Sequence, residues 1–216
     1  MGSEELLLAD IGNTHFHIYK GKKVERLAYE DAIERYQDKQ LFYISVKHHL
    51  EARIAKIRPW RNISGLIRVE GEYGTMGVDR KALCLSHPNG IFVDAGSAIT
   101  VDVMEEGVYQ GGFILPGLNA YLKSYAEISE ALITDLNREL DLSRLPLTTK
   151  DGISYGIIAS IKALIDQHRD DQTLYFTGGD GAFLSRFFED AIYDESLVFQ
   201  GMMQALNTSE KLEIRN

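Results

Sequence analysis

The sequence predicts an α/β protein made of two similar halves. The same pattern occurs twice, as "LLLADIGNTHFHIY" at 6–19 and as "IFVDAGSAITVDV" at 91–103. In each copy an apolar run ends in an aspartate, Asp10 or Asp94, and a glycine stands two positions later. An alternating apolar segment follows, so each copy has the pattern of strand, turn and strand. Strand and helix patterns are mixed along the rest of the chain, as expected of an α/β fold.

The elements of the first half follow from local sequence signals. After the first turn, Phe16 and Ile18 alternate with polar residues, which indicates a strand. A helix ends at the Arg58-Pro59 step, because the residue before a proline disfavours the helical conformation. The three glycines of "GEYGTMG" at 71–77 require a loop. The predicted elements are strands at 5–11, 14–19, 23–29, 40–46 and 64–70, and helices at 30–38, 48–57 and 79–86.

The second half is predicted to begin at residue 90 and to open, like the first, with a meander of strands. Its third strand ends at Pro116-Gly117, where a turn is expected. The run "TLYFTGG" at 173–179 is typical of a buried strand that ends on glycines. The predicted elements are a strand-turn-strand unit over 91–103, a strand at 108–115, helices at 117–133 and 150–168, a strand at 173–179, a helix at 181–189, and a strand and helix from 197. We therefore expect two domains, 1–89 and 90–216.

Composition limits the classes of partner. The chain has 216 residues, of which 44% are hydrophobic and 25% are charged, as in ordinary globular proteins. Its 23 basic and 32 acidic side chains give a net charge of −9, which argues against nucleic acid or an anionic membrane as a partner. An anionic ligand would have to be held by local groups. The single cysteine, Cys84, suits a reducing compartment.

The two acid-glycine turns have the chemistry of a phosphate site. Glycine lets the backbone turn tightly and approach a ligand, and the turn amides, with Asn13 and Thr14, can donate hydrogen bonds to phosphate oxygens. The aspartate can hold a hydrated Mg²⁺ beside those phosphates. A single Asp-x-Gly is more often an ordinary turn in a hairpin. Two such turns in equivalent places, facing each other across a cleft, would hold a nucleotide from both sides.

A second group of candidate residues lies in "YGTMGVDR" at 73–80. Asp79 could accept a proton from a substrate hydroxyl as a general base, and Arg80 could bind an anionic group. An aspartate at the start of an apolar helix can equally be a helix cap. The sequence leaves both interpretations open.

A different chemistry is suggested by "GISYG" at 152–156, which matches the G-x-S-x-G motif of serine hydrolases with Ser154 as the nucleophile. That motif requires a buried strand directly before it, whereas "PLTTKD" is polar and begins a helix. Gly156 is then better explained by close packing of that helix. The six histidines lack the spacing of a metal site.

Five motifs together resemble those of type III pantothenate kinases, in that family's order and over almost the whole chain. They are "DIGNT" at 10–14, "GVDR" at 77–80, "DAGSAITVD" at 94–102, "GGFILPG" at 111–117 and "TGGD" at 177–180. The resemblance implies an actin/hexokinase-like fold of two ribonuclease-H-like halves, with mixed sheets flanked by helices. It also implies ATP-dependent phosphorylation of pantothenate, the first step of coenzyme A biosynthesis.

The resemblance also implies roles for individual residues. It makes Asp79 the proton acceptor and Asp94 the ligand of a monovalent cation, K⁺ or NH₄⁺. Asp10 would hold the Mg²⁺ that accompanies ATP. The implied ATP-binding residues are Asp10, Ile11, Gly12, Asn13, Thr14, His15, Phe16, His17 and Ser97. The implied pantothenate-binding residues are Tyr73, Gly77, Val78, Asp79, Arg80 and Thr149, the last reaching across a dimer interface. Position 97 usually holds threonine in the family, and serine keeps the hydroxyl.

We therefore predict a cytoplasmic homodimeric kinase that uses ATP and pantothenate and has no nucleic-acid or membrane partner. One alternative is a non-enzymatic, nucleotide-binding regulator with the same fold. A second is a serine hydrolase that uses Ser154, and a third is a sugar or acetate kinase with the same fold.

Overall fold

The structure is a computed structural model that describes residues 6–213. The chain forms two compact units. Of the described residues, the first unit contains 6–89, Met104–Gln110 and 195–213, and the second contains Gly90–Val103 and Gly111–Asp194. The boundary between halves at 89/90 stays a prediction.

The first sheet is mixed and has five strands in the order β3-β2-β1-β4-β5. β1 pairs antiparallel with β2, and β2 pairs antiparallel with β3. On its other side β1 pairs parallel with β4, which pairs parallel with β5. The strands are β1 Leu7–Ile11, β2 Phe16–Lys20, β3 Lys23–Leu27, β4 Leu41–Ser45 and β5 Trp60–Asn62.

The second sheet repeats this order. Read from its other edge, it runs β8-β7-β6-β9-β10, so both sheets place their own third, second, first, fourth and fifth strands side by side. β6 pairs parallel with β9, and β9 pairs parallel with β10. The internal repeat of the sequence thus corresponds to a repeated sheet topology. The strands are β6 Gly90–Ala95, β7 Ala98–Glu105, β8 Val108–Pro116, β9 Leu174–Thr177 and β10 Ile192–Tyr193.

The helices are amphipathic and bury apolar residues in the unit to which they belong. In the first unit the last helix packs closely on the third, because Gly201 lies against the carbonyl group of Ala82 with no space for a Cβ atom. The helices are α1 Tyr29–Tyr36, α2 His48–Ile54, α3 Val78–Leu85, α4 Leu118–Ile128, α5 Thr149–Asp166, α6 Gly181–Ser185 and α7 Leu197–Glu213.

Each unit has its own apolar core. In the first, Ile11, Phe16 and Ile18 are fully buried, and the Phe16 ring packs on Trp60 with centroids 5.9 Å apart. In the second, the isoleucines of α5 pack with the apolar residues of β6, β7 and β9. The cores place the ends of β1 and β6, where the two aspartates lie, at the margin of well-packed sheets.

In the first half of the chain, one predicted strand is wrong, and one observed strand was missed. Residues 64–70 were predicted as a strand, but Ser64–Leu66 is a short 3-10 helix. The missed strand, β5, precedes it and is fixed by Trp60, whose indole N–H donates to the carbonyl of Tyr36 at 3.0 Å. The Asn62 side chain then accepts a hydrogen bond from the amide of Ser64 at 2.8 Å. This local bond favours a turn over an extended strand.

Several predicted bounds were too long. The helix predicted at 117–133 ends at Ile128, because Ser129 is extended and caps a separate short turn with its side chain. The helix predicted at 181–189 ends at Ser185. The strand predicted to begin at 197 is wrong, because Leu197 is the first residue of α7, and the strand that precedes this helix is β10 at Ile192–Tyr193. Residue 5 of the first predicted strand lies outside the described residues.

Candidate active site

Asp10 lies near the end of β1, directly across from His17 of β2. Its Oδ2 atom is 3.9 Å from Nδ1 of His17, and its side chain is 15% exposed. Its Oδ1 atom is buried and has no hydrogen-bond partner among the described residues. A buried, unpaired carboxylate oxygen is costly unless a ligand satisfies it. The first turn therefore presents an acceptor that suits a hydrated cation.

Side chains from two other elements hold the first turn. The amide of Gly12 donates to the carbonyl of His15 at 3.2 Å, which closes the turn. The Tyr29 hydroxyl of α1 donates to the Gly12 carbonyl at 2.9 Å, and the Lys47 ammonium donates to the Asn13 carbonyl. With these carbonyls engaged, the exposed side chain of Asn13, like that of Thr14 beside it, faces solvent.

The glycine of each acid-glycine turn is not required by the fold. Neither Gly12 nor Gly96 has a left-handed backbone conformation. A Cβ atom at Gly12 would lie 3.6 Å from the nearest atom, the carbonyl oxygen of His15, and one at Gly96 would lie 3.8 Å from that of Ala98. Both are ordinary contacts. The absence of a side chain at these positions is therefore better explained by close approach of a ligand.

Asp79 lies in the first turn of α3, two residues after Gly77, which is the capping residue of that helix and has no side-chain cap. Asp79 is thus not the N-cap residue of α3, although its carboxylate still accepts a hydrogen bond from the first turn of the helix. Its Oδ1 atom accepts a hydrogen bond from the Arg80 amide at 2.8 Å. Burial, and then the negative charge of Asp10, raise the pKa of Asp79 to about 6, although Arg80 opposes the shift. The structure thus brings the two predicted acids of the first half into electrostatic contact.

Arg80 is fixed by two tyrosines and is only 7% exposed. It donates to the Tyr73 hydroxyl at 2.5 Å and to the Tyr109 hydroxyl at 3.3 Å. The guanidinium carbon lies 5.8 Å from the centre of the Tyr73 ring. Sequence reasoning identified Arg80 and Tyr73 but missed Tyr109, which lies on the edge strand β8. No sequence signal links residue 109 to the loop that precedes α3.

Glu72 anchors that loop to α3. It accepts hydrogen bonds from the buried Lys81 side chain and from the Val69 amide, both at 2.8 Å, and forms an ion pair with Arg68. Burial alone would raise the pKa of Glu72, but these three partners outweigh it and lower the pKa. An ionised Glu72 therefore holds Tyr73 in place from the adjacent position.

The second acid-glycine turn is held by the backbone. A Cβ atom at Gly117 would lie only 2.5 Å from the carbonyl oxygens of Gly96 and of Ser97. Gly178 has a positive φ of +84°, and a Cβ there would meet the Asp94 carboxylate and the Ala95 carbonyl. The backbone of Gly178 therefore packs directly against the Asp94 carboxylate and the Ala95 carbonyl. The Ser97 side chain is exposed.

The residues described contain no cluster of three or more histidine, cysteine or acidic side chains that could hold a metal ion. Any cation at either turn would then be bound by one or two carboxylates together with water or ligand oxygens, as is usual for Mg²⁺. No helix within residues 6–213 is both long and apolar enough to cross a membrane.

Comparison with known proteins identifies the family. The sequence model of type III pantothenate kinases matches residues 57–170. A type III pantothenate kinase from Helicobacter hepaticus is 43% identical over 202 residues, which cover 93% of this chain and 98% of that relative. The chain belongs to the type III pantothenate kinase family. It is therefore an enzyme of that family, and the resemblance inferred from the five motifs is confirmed.

Solved structures confirm the fold. A Campylobacter jejuni protein described as a conserved Baf family transcriptional activator has a TM-score of 0.87 and 37% identity, and the match covers 95% of this chain and 100% of that chain. An activator of 2-hydroxyisocaproyl-CoA dehydratase from Clostridium difficile has a TM-score of 0.57 and 11% identity, covering 96% and 97% of the two chains. The predicted actin/hexokinase-like fold of two ribonuclease-H-like halves is thereby confirmed.

The remaining predicted site residues lie in different environments. Ile11 and Phe16 are fully buried in the first core, so only their backbone could face a ligand. Thr149 is exposed at the first position of α5, where its neighbour Thr148 caps the helix. Ser154 is fully buried within the same helix and accepts a hydrogen bond from the Asn137 amide at 2.9 Å. A buried serine inside a helix cannot act as the exposed nucleophile of a hydrolase, so that alternative is wrong.

Proposed function

We propose that this member of the type III pantothenate kinase family transfers the γ-phosphoryl group of ATP to the primary hydroxyl of pantothenate. The product is 4′-phosphopantothenate, and the reaction is the first step of coenzyme A biosynthesis. The observation that carries this proposal is the 43% identity to a type III pantothenate kinase across 98% of its length.

Asp79 is the general base in this proposal. The hydroxyl proton passes to its carboxylate, the hydroxyl oxygen bonds to the γ-phosphorus, and the bond to the bridging oxygen breaks, so that ADP leaves. A pKa of about 6 makes Asp79 a stronger base than an ordinary aspartate and keeps most of it ionised near neutral pH. Its burial and the nearby charge of Asp10 are the physical cause of this basicity.

Arg80 and Tyr73 bind pantothenate beside the base, together with Gly77 and Val78. Pantothenate carries a carboxylate, and a buried guanidinium is the side chain best suited to bind one. The two tyrosine hydroxyls hold the guanidinium in a single orientation, so little conformational entropy is lost on binding.

The first turn binds the phosphates of ATP in this proposal. The exposed Asn13 and Thr14 side chains and the turn amides donate to phosphate oxygens, and His15 and His17 flank them. Ile11 and Phe16 contribute through their backbone only. Asp10 would hold Mg²⁺ through water or phosphate oxygens, because its Oδ1 atom is a buried acceptor without a partner. When bound, the ion would neutralise phosphate charge.

The second turn contributes Asp94 and Ser97. We assign Asp94 to a monovalent cation, K⁺ or NH₄⁺, because it is the acid of the second acid-glycine motif, to which the resemblance gives that role. Large monovalent cations take oxygen ligands of this kind. The exposed Ser97 hydroxyl contacts ATP in the same proposal.

The proposal includes a homodimer in which Thr149 of one chain contacts pantothenate bound to the other. The exposure of Thr149 supports it. Mixing the inactive variants Asp79→Asn and Thr149→Val should restore part of the activity, since one mixed site would be intact. No recovery, despite proven subunit exchange, would refute the shared site.

The proposal also includes a division of the chain into halves at 89/90. It includes a cytoplasmic location, which the single cysteine favours.

A substrate panel tests the activity. Purified protein with ATP, Mg²⁺ and either K⁺ or Na⁺ should release ADP only when pantothenate is added, and mass spectrometry should detect 4′-phosphopantothenate. Sugars and acetate serve as controls for kinases of the same fold. The alternative of a non-enzymatic regulator does not fit a chain that belongs to a family of enzymes, although the similar Campylobacter jejuni structure is described as a transcriptional activator. Nucleotide binding without ADP release on addition of pantothenate is the result that would support such a regulator.

A further inference from the structure

Lys47 lies beside the first phosphate turn, although it is far from that turn in sequence. β4 runs parallel to β1, so both strands end at the same edge of the sheet, and Ile11 is paired with Ser45. The Val46 amide then donates to the carbonyl of Ile11 at 3.2 Å. This register carries residue 47 to the level of residue 13, just beyond the last paired residues.

The Lys47 ammonium is directed into the turn by two contacts. It donates to the carbonyl oxygen of Asn13, and it lies 5.0 Å from the centre of the Tyr29 ring. Tyr29 itself donates to the neighbouring Gly12 carbonyl at 2.9 Å. An ammonium group has three N–H donors, and the hydrogen bond to Asn13 uses one of them. The side chain is therefore held at the turn and keeps donor capacity for an anion.

The charge balance of the turn favours an anionic ligand there. The chain carries a net charge of −9, and the turn itself contains Asp10, so a polyphosphate would be repelled unless cations lie close by. Arg26, on the other side of the turn, is 3.0 Å from Nδ1 of His15. Burial and the positive charge of Arg26 lower the pKa of His15, so that ring does not supply a cation. Lys47 supplies one.

We propose that Lys47 is a phosphate-binding residue, which moves from the Asn13 carbonyl to the phosphates of ATP when the nucleotide binds at the first turn. The inference rests on the proposed function for the identity of the ligand. It adds to that function a positive side chain from the segment that follows β4, outside the acid-glycine motif. A lysine suits this role because its ammonium acts as a mobile point charge on a flexible stem.

The test compares Lys47→Met with a matched control, Lys39→Met. Lys39 also lies over a tyrosine ring of the first unit, that of Tyr36 at 4.8 Å, but it precedes β4 and so lies at the other end of the strand. Calorimetry should give the Kd values of ATP, ADP and adenosine for both variants. We expect Lys47→Met to weaken ATP and ADP binding about tenfold, as for loss of one charge-assisted hydrogen bond at a partly exposed site. The affinity of Lys47→Met for adenosine should be unchanged, and Lys39→Met should bind all three ligands like the wild type.

Two further variants separate charge from support of the turn. Tyr29→Phe removes the hydrogen bond to Gly12 but keeps the ammonium. Lys47→Arg keeps the positive charge. If Lys47 binds phosphate, Lys47→Arg should recover most of the ATP affinity, and Tyr29→Phe, which loosens the same turn without removing a charge, should weaken ATP binding much less than Lys47→Met does. An equal loss of ATP affinity in Tyr29→Phe and Lys47→Met would overturn the proposal and leave Lys47 as a support of the turn only.

Failure of this proposal can be told apart from failure of the proposed function. If the wild-type protein phosphorylates pantothenate but Lys47→Met binds ATP normally, only the Lys47 proposal fails. If the wild type binds ATP but shows no turnover with pantothenate, a selective loss of ATP affinity in Lys47→Met still supports the phosphate-binding role. If the wild type binds no nucleotide, both proposals fall.

Discussion

The two acid-glycine turns have the same sequence pattern and follow the same position in two sheets of the same strand order, but they are held differently. Around the first turn, side chains provide the support, namely the Tyr29 hydroxyl and the Lys47 ammonium. Around the second, glycines let the backbone approach so closely that no side chain would fit, at Gly117 and at Gly178.

This difference predicts how each turn responds to substitution. Side chains that hold a turn can rearrange when a ligand binds, and the first turn also has an unpaired carboxylate oxygen in Asp10. A turn held by backbone packing is rigid and intolerant of added atoms. We therefore expect substitutions at the first turn to affect catalysis and nucleotide binding, and substitutions around the second to affect folding as well.

The largest effect is expected at Asp79, which the first unit places near Asp10. Asp79→Asn keeps the size of the side chain but removes its basicity, so turnover should fall by about 10²–10⁴-fold. ADP affinity and Tm should stay close to those of the wild type, because the turn at Asp10 is unchanged. Steady-state kinetics and calorimetry measure both. Near-normal turnover would show that Asp79 is not the base.

The next effect tests the rigidity of the second turn. In Gly117→Ala the new Cβ would lie 2.5 Å from two backbone carbonyl oxygens, which cannot move without shifting the turn. Overpacking of this kind costs about 2–3 kcal/mol, and Tm should fall by about 5–10 °C. Gly152→Ala on α5 is the matched control, because the new Cβ would have no atom within 4 Å. An unchanged Tm in Gly117→Ala would contradict the backbone-held turn.

Elements that are determined by neighbouring residues could be predicted from the sequence, whereas elements that depend on distant contacts could not. The acid-glycine turns, the 71–77 loop and α3 follow from neighbouring residues, and the structure agrees with them. β5 was missed because Trp60 is fixed by the distant Tyr36 carbonyl. The apolar residues Ile67 and Val69 suggested a strand, yet they are buried in a segment that is not one. Periodicity records burial, not the element that provides it.

The site shows the same limit. Asp10, Asp79 and Arg80 were identified from motifs, whereas Lys47, Tyr29 and the role of Glu72 were not. Lys47 follows a correctly predicted strand, but its place beside residue 13 depends on the parallel pairing of β1 with β4. That pairing is a tertiary fact with no local signal. The electrostatic link that raises the pKa of Asp79 likewise requires Asp10 to be brought near it by folding.

A third prediction contrasts the two aspartates directly. Asp10→Asn should weaken the use of Mg²⁺ and ATP by about 10–100-fold, as is typical when a carboxylate that orients a hydrated metal is lost. Asp94→Asn should instead reduce the activation by K⁺ with a smaller change in the KM of ATP. Titrations of rate against Mg²⁺ and K⁺ distinguish them. If both variants kept the wild-type response to each ion, the two turns would have no role in cation binding.

The pH dependence sharpens the comparison further. Because burial and Asp10 raise the pKa of Asp79 to about 6, the base is protonated below that pH, and kcat/KM should fall about tenfold for each unit of pH below 6. Asp10→Asn removes the negative charge that helps to raise the pKa of Asp79, so the midpoint of the pH–rate profile should move to lower pH in that variant. A pH–rate profile of both proteins, with stability checked by circular dichroism, measures the shift. An identical midpoint would mean that Asp10 does not act on Asp79.

The smallest expected change is in the stability of Gly12→Ala, and it gives the sharpest contrast with Gly117→Ala. The added Cβ would meet only the His15 carbonyl oxygen, at an ordinary 3.6 Å, and the backbone of Gly12 is not left-handed. Replacing such a glycine restricts the unfolded chain, so the free energy of unfolding should stay the same or rise by up to about 1 kcal/mol. ATP affinity should nevertheless fall, because the methyl group occupies the space through which phosphate would approach the turn. Thermal unfolding and calorimetry on one preparation measure both quantities. Unchanged ATP affinity in a stable Gly12→Ala variant would mean that no ligand approaches this glycine closely, and the phosphate site would then have to be sought away from the first turn.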